Sequence, residues 1–190
     1  MAAGDLTDLA SVEAWLSLQS GNGSEALLSA LITAASTFVK SWLNRDILST
    51  SYVERYRANG DRPIVLANGP VTAIAQVAWQ GTTVTTAGDP IVGTPGIYFT
   101  DRALSLFGYC LPRGDLVQVS YTAGYATVPA DIKQVVNELV GEAFKRRDRI
   151  GQNSKTLGGQ EVITFSPADM NATNKTLLQQ YRNVVPVQTF

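Results

Sequence analysis

The spacing of apolar residues changes from a helical to a strand-like period and back again along this chain. From Ser24 to Leu43, apolar residues recur at positions i, i+3, i+4 and i+7, which is typical of a helix with one buried face. Residues 50–122 instead carry short β-branched and aromatic runs, of which Leu116–Tyr121 alternates most regularly. Helical spacing returns from Ala130 to Arg149. Because no helices separate the strands, the pattern predicts an α+β fold in which a small antiparallel sheet, or linked hairpins, is inserted between two long packed helices.

Shorter elements are predicted at both ends of the chain. Residues Ser11–Gln19 and about Thr173–Arg182 have the composition of short N- and C-terminal helices. The segment 151–160 is rich in glycine and resembles a hinge. We therefore predict a core domain over residues 1–150 and a C-terminal hinge and docking arm over residues 151–190.

The chemistry available to the chain is limited by what it lacks. There is no histidine, which excludes imidazole bases and His-bearing metal sites, and the single cysteine, Cys110, cannot form an internal disulfide. The carboxylates are scattered singly rather than paired for acid–base catalysis. We expect no enzymatic activity, no metal and no cofactor. Charged residues make up 16 % of the chain, against roughly 25 % in an average domain, which favours a subunit with buried faces.

Two further classes of protein fit the sequence poorly. The glycines at 21 and 23 precede a helix but no lysine follows them, so they do not form a phosphate-binding loop. The most apolar run, Ala26–Val39, is interrupted by serine and threonine and is shorter than the roughly 20 apolar residues of a membrane span. The sequence predicts a soluble protein, made and kept in a cytoplasm-like compartment, with no membrane partner.

Three groups of residues are candidate contact surfaces. The end of the second long helix carries a basic cluster, which either complements the helix dipole in solvent or meets an acidic partner or DNA phosphates. The first long helix has a small, nearly uncharged face, which is either solvated or packed against another subunit. The tail is apolar, and either folds back as the edge of the core or projects to dock on a partner. The residues are Lys145, Arg146, Arg147 and Arg149; Ala30, Thr33, Ala34, Thr37 and Ser41; and Leu178, Tyr181, Val184, Val185 and Phe190.

Three stretches, in this order, resemble a known family. The first, from Ala26 to Ile47, reads ALLSALITAASTFVKSWLNRDI and resembles a helix that ends in an aromatic-Leu-x-Arg corner. The second, residues 66–77, reads LANGPVTAIAQV and resembles an "L…PV..I..V" hairpin. The third is VSYTAGY at 119–125 followed by VPADI at 128–132, similar to a "YTAGY…VP.DI" junction from strand to helix. Over about residues 7–150 the chain is similar to the head–tail connector, or adaptor, proteins of long-tailed phages.

The resemblance implies a structural virion protein that completes the head. Members of this family form a ring of about a dozen copies beneath the portal, extend the DNA channel and join the next neck or tail protein. The implied location is the virion neck, after synthesis in the cytoplasm of a bacterial host. Genomic DNA would pass through the ring without sequence-specific contact. The tail and the basic cluster would meet the portal or neck, and the small helix face and the β-loops would meet neighbouring subunits.

Two other interpretations remain open from the sequence. The chain could be another neck or tail-completion protein of the same particle. It could also be a DNA-binding module that uses the basic end of the helix 130–149.

Overall fold

The computed structural model describes residues 4–21, 23–60, 62–147, 154–157, 161–164 and 170–183. The chain divides into two compact units. The helical unit comprises residues 1–44 and 128–182, and the β unit comprises residues 45–127 together with residues 183–190. Each unit is therefore built from segments that are distant in sequence.

The helical unit contains four helices and one hairpin of two short strands. Its helices are α1 (Leu9–Leu16), α2 (Glu25–Leu43), α3 (Ala130–Arg146) and α4 (Ala172–Gln179). The strands β8 (Ser154–Leu157) and β9 (Glu161–Thr164) pair antiparallel. Helices α1, α2 and α3 all contact one another, and α4 packs on α3. The core is formed by the side chains that share the inner faces: Leu6, Val12, Leu28, Ile32, Val39, Leu43, Ile132, Val135, Val136, Val140, Met170 and Leu178.

Polar contacts fix the N-terminal segment of the helical unit. Asp8 caps α1 by accepting a 2.8 Å hydrogen bond from the backbone N–H of Ser11, as an N-cap residue does. Its other carboxylate oxygen lies 2.6 Å from the ammonium of Lys133 at the start of α3. Deeper in the unit, the buried hydroxyl of Thr7 donates to the Asn137 side chain across 2.6 Å. These bonds tie α1 to α3.

The β unit holds seven strands in two antiparallel sheets. The strands are β1 (Thr50–Arg57), β2 (Ile64–Val65), β3 (Val71–Trp79), β4 (Thr82–Val84), β5 (Gly96–Thr100), β6 (Ala103–Phe107) and β7 (Leu116–Ala123). One sheet has the order β1-β7-β3-β4 and the other the order β2-β6-β5. In the central strand β7 the residues Val117, Val119, Tyr121 and Ala123 are buried and alternate with more exposed ones. They form part of one hydrophobic cluster with residues of the other strands.

The predicted α+β class is confirmed, with more elements than the sequence indicated. The two long helices pack against each other, and the two short terminal helices are present. The region predicted as a small antiparallel sheet or linked hairpins forms two antiparallel sheets. Strands β2 and β4 are only 2 and 3 residues long, which is too short to show a period in the sequence. The described part of the second long helix ends at Arg146, and Arg147 continues as a tighter turn.

Candidate docking surfaces

The basic cluster lies on the surface of the helical unit. Lys145, Arg146 and Arg147 are all exposed at the end of α3. The guanidinium of Arg147 lies over the ring of Phe144, 4.1 Å from its centroid, a cation–π arrangement that fixes this charge near the helix. Arg149, the fourth residue of the predicted cluster, lies outside the described residues.

The small face of α2 is also exposed, and its polar groups are partly satisfied by the helix itself. All five predicted residues, Ala30 to Ser41, are exposed. The hydroxyls of Thr33 and Thr37 donate to backbone carbonyls one turn earlier, across 3.2 and 2.8 Å. Hydroxyls bonded in this way have their donor satisfied within the helix. The face can therefore be covered by a partner with little loss of hydration at these two hydroxyls.

Helix α2 carries more apolar surface than the helical unit buries. By length and composition alone its 19 residues could cross a membrane, a test that core helices of soluble proteins also pass. Its core contacts are made by Leu28, Ile32, Val39 and Leu43, but Leu27 and Phe38 remain 40 % and 44 % exposed. Both residues belong to the apolar pattern from Ser24 to Leu43, so the buried face of the helix is narrower than that pattern predicts.

A groove between α2 and α3 brings two of the predicted surfaces together. It has a volume of about 270 Å³ and is lined from α2 by Leu31, Ala34, Ala35 and Phe38. The lining from α3 consists of Leu139, Glu142, Ala143 and Arg146. Ala34 of the small face and Arg146 of the basic cluster thus border one concave, mainly apolar site. No sequence pattern marked this groove, because it requires the relative placement of two helices distant in sequence.

The C-terminal candidates are placed differently from one another. Leu178 on α4 is fully buried in the helical unit, so its side chain serves the core and is not available to a partner. Tyr181 is half-buried, and its hydroxyl donates to the Asp131 carboxylate across 3.2 Å. Val184, Val185 and Phe190 lie outside the described residues.

Sequence reasoning missed Asn183, a buried residue that anchors the chain just before residues 184–190. Asn183 is only 7 % exposed and belongs to the β unit. Its amide nitrogen donates to the backbone carbonyl of Ala67 across 2.9 Å, and its amide oxygen accepts from the guanidinium of Arg102 across 2.6 Å. The same guanidinium also donates to the Ala67 carbonyl. A buried amide with both ends bonded provides a fixed origin for residues 184–190.

A partly buried polar cluster in the β unit joins strands that are distant in sequence. The hydroxyls of Tyr56 and Tyr121 both donate to the Glu54 carboxylate, the latter across 2.6 Å. Backbone N–H groups of Ala67 and Asn68 donate to these hydroxyls across 2.8 and 3.2 Å. Burial raises the pKa of both tyrosines, and the bonds to Glu54 raise it further. The hydroxyls therefore stay protonated at neutral pH and hold β1, β7 and the turn after β2 together.

The described residues contain no group of three or more His, Cys, Asp or Glu side chains that could hold a metal ion. The one cysteine, Cys110, is exposed.

Comparison with known proteins identifies the family. The family model described as "Head completion protein" matches residues 5–184. The chain belongs to the head completion protein family. Membership covers nearly the whole chain, beyond the residues 7–150 over which the sequence motifs resembled connector proteins, and it confirms that resemblance. The role of this family is structural, in the completion of viral heads.

Solved structures share the fold over its full length. A chain from the "Neck of empty GTA particle computed with C6 symmetry" is 17 % identical with a TM-score of 0.58. A chain from the "Neck of native GTA particle computed with C12 symmetry" is 17 % identical with a TM-score of 0.56. A third, from the "Virion of native gene transfer agent (GTA) particle", is 16 % identical with a TM-score of 0.59. Each match covers 100 % of this chain and 95 % of the other. No curated protein sequence matches the chain significantly.

Proposed function

We propose that this chain is a head–tail connector subunit of the virion neck. About a dozen copies form a ring beneath the portal, extend the DNA channel and join the next neck or tail protein. The observation that carries the proposal is the head completion family match over residues 5–184, on a fold found over its full length in chains from GTA particle necks. The ring would be assembled from copies made in the bacterial cytoplasm, without a cofactor and without a membrane partner.

Contacts between subunits are proposed for the small face of α2. Ala30, Thr33, Ala34, Thr37 and Ser41 are small and exposed, so a neighbouring subunit can approach the helix backbone closely. The low charge of the chain supports the same proposal, because a subunit buried on several sides needs fewer charged residues.

Contact with the portal or the next neck protein is proposed for the basic cluster and the tail. Lys145, Arg146 and Arg147 are exposed, as a surface for an acidic partner requires, and Arg149 extends the same charge in sequence. Tyr181 and the apolar residues Val184, Val185 and Phe190 form the second part of this surface. The seven residues after Asn183 can span at most about 25 Å when extended, which is long enough for residues 184–190 to reach a partner outside their own subunit.

We also propose that the protein transforms no molecule. It acts by fitting against copies of itself and against the portal, and DNA passes through the ring without sequence-specific contact. The polar cluster of Glu54, Tyr56 and Tyr121 supports this proposal, because the hydrogen bonds described for it join parts of the β unit to one another.

Native mass spectrometry with and without purified portal protein tests the proposal. We expect a ring on the portal, and weaker binding by the variant Lys145→Glu/Arg147→Glu. The matched control, Arg55→Glu/Arg57→Glu, reverses two exposed charges in the β unit and should bind normally. Equal loss of binding in both variants would assign the effect to net charge, and unaffected binding in both would remove the basic cluster from the portal contact.

One observation supports a second candidate function. Three exposed cations at one helix end can contact DNA phosphates, so the chain could instead bind DNA directly. A gel-shift titration of the isolated protein tests this. Tight binding that weakens steeply with salt would support the DNA-binding candidate, and a lack of binding below micromolar protein would contradict it.

A further inference from the structure

The loop between β4 and β5 presents two apolar side chains to solvent. Ile91 is 94 % exposed and Val92 is 77 % exposed. They are the two most exposed large apolar residues in the described part of the chain, and they are adjacent. Single exposed apolar residues are common, but adjacent ones form a larger apolar patch, and larger exposed patches mark contact sites.

The loop is held in shape before any contact is made. At its base, Gly88 and Gly96 lie backbone against backbone, since a Cβ atom added to either would come within 2.6 Å of the other's backbone. Asp89 and Thr94 exchange backbone hydrogen bonds of 3.0 and 2.9 Å. The Asp89 carboxylate also accepts from the backbone N–H of Ile91 across 2.8 Å. An ordered loop loses little conformational freedom on binding, which favours affinity.

The helical unit offers a concave surface that fits such a tip. The groove between α2 and α3 is lined mainly by apolar side chains, and its volume of about 270 Å³ admits aliphatic side chains. Arg146 lies at its border and Lys145 and Arg147 are on the same helix end. The loop carries a single charge, the acidic Asp89. The groove is also lined by the acidic Glu142, so this end of α3 carries one acidic and three basic side chains and is positive on balance. A convex apolar tip beside an acid and a concave apolar surface beside a basic helix end are thus present on one chain.

We propose that the loop tip Ile91–Val92 of one copy inserts into the α2/α3 groove of the next copy in the ring. A contact between two different surfaces of the same protein is head-to-tail, and such contacts generate rings when the rotation closes. The inference rests on the proposed connector function and adds to it the pair of surfaces that joins subunits. Asp89 then faces the basic end of α3 across the interface.

Site-specific cross-linking in purified particles tests the contact. In a Cys110→Ser background, one variant carries Ile91→Cys and a second carries Ala34→Cys; both sites are exposed, so neither change should disturb folding. The two are co-expressed and treated with a short bis-maleimide. The matched control replaces Ile91→Cys by Val53→Cys, which is 67 % exposed in the β unit.

We expect Ile91→Cys to cross-link with Ala34→Cys and not with itself, and Val53→Cys to give little product with Ala34→Cys. The inference would be overturned if Ile91→Cys and Val53→Cys gave equal yields of cross-linked product with Ala34→Cys. It would also be overturned if Ile91→Cys cross-linked chiefly with itself. Particles that contain the protein but show no Ile91–Ala34 product would overturn the inference and leave the connector function intact. If neither the Cys110→Ser parent nor the unmodified chain were found in purified particles, the connector function would be overturned, and the inference with it.

A second measurement does not depend on cysteine chemistry. Ile91→Asp should weaken association between subunits by at least about tenfold, the loss expected for one large aliphatic side chain removed from an interface. Val53→Asp should leave association unchanged. Because both residues are exposed, circular dichroism should show both variants folded; equal association of the two variants would contradict the proposed contact.

Discussion

Gly124 directly follows β7. Its backbone conformation and its close approach to the backbone of Leu48 are tolerated only by glycine. Its φ is +118°, and a Cβ atom there would lie 2.6 Å from the carbonyl oxygen of Leu48. Its N–H donates to the Pro70 carbonyl across 2.9 Å, so the backbone cannot simply move away. The glycine therefore allows the chain to leave the sheet sharply before α3 begins.

Gly124→Ala should lower the free energy of unfolding by about 2–5 kcal/mol, because backbone strain adds to a backbone clash. Gly114→Ala is the matched control, since Gly114 has a φ of +96° with no heavy atom within 4 Å of the added Cβ. Gly114→Ala should lower the free energy of unfolding only through backbone strain, by about 1–2 kcal/mol. Urea unfolding of the two variants measures the difference; equal losses would contradict the steric explanation.

Asp8 combines a helix cap with an ion pair. The hydrogen bond from Lys133 lowers the pKa of the Asp8 carboxyl from 3.8 to about 2, more than its partial burial raises it. The folded state therefore favours the ionised form. This stabilisation is complete above pH 4 and is lost as the pH falls from about 4 to about 2.

Asp8→Asn should keep the cap and lose the charge. At neutral pH this substitution should lower the free energy of unfolding by up to about 1 kcal/mol. The loss is small because the side chains of Asp8 and Lys133 are both 38 % exposed and solvent screens the ion pair. Asp8→Ala should cost a further ~1 kcal/mol through loss of the cap. Urea unfolding between pH 2 and pH 7 checks both values. A wild-type and an Asp8→Asn protein that lose stability in parallel below pH 4 would contradict the role of the ion pair.

Among the elements, α2 would, in the proposed ring, use one face for folding and the other for contact with a neighbouring subunit. Ile32 is fully buried in the helical unit, whereas Phe38 is 44 % exposed and lines the groove. Ile32→Ala should cost about 2–5 kcal/mol of folding stability, the usual value for a truncated core side chain. Phe38→Ala should cost much less stability and should weaken ring formation instead. Thermal unfolding and native mass spectrometry measure the two effects; the reverse pattern would contradict this division.

In the β unit, Tyr56 joins strand β1 to the turn that follows β2. Tyr56→Phe would leave the Ala67 N–H and the Glu54 carboxylate without this hydroxyl, at a cost of about 1–3 kcal/mol. Because the pKa of Tyr56 is raised, its contribution to stability is present below pH 10 and is lost as the pH rises above it. Urea unfolding at neutral and alkaline pH measures both effects. Tyr98→Phe, at a 41 % exposed position, is the control and should leave the free energy of unfolding nearly unchanged.

The elements differ in how much of them the sequence could predict. Helical spacing located α2 and α3 to within a few residues, because long amphipathic periods are distinctive. Spacing alone could not show that Leu178 faces the core, because Leu177, Leu178 and Tyr181 fit either face of a short helix. Nor could it reveal the Asn183 anchor, whose partners Ala67 and Arg102 lie 116 and 81 positions away.

At the scale of the whole molecule, the surfaces proposed for assembly are divided between the two units. The exposed small face, the α2/α3 groove and the basic end of α3 all belong to the helical unit, and the loop tip belongs to the β unit. The family was predictable because three motifs occur in order, but the surfaces were only partly so. The sequence indicated the small face and the charges, whereas the groove and the exposed loop tip depend on three-dimensional placement.

Cryo-electron microscopy of mature particles tests the central claim most directly. Symmetry-averaged reconstruction of the region beneath the portal should show a closed ring of this chain with the DNA channel passing through it. The ring should be absent from particles made without the gene, and those particles should lose their genome. Genome-filled, infectious particles made without the gene, with an unchanged neck, would contradict the account.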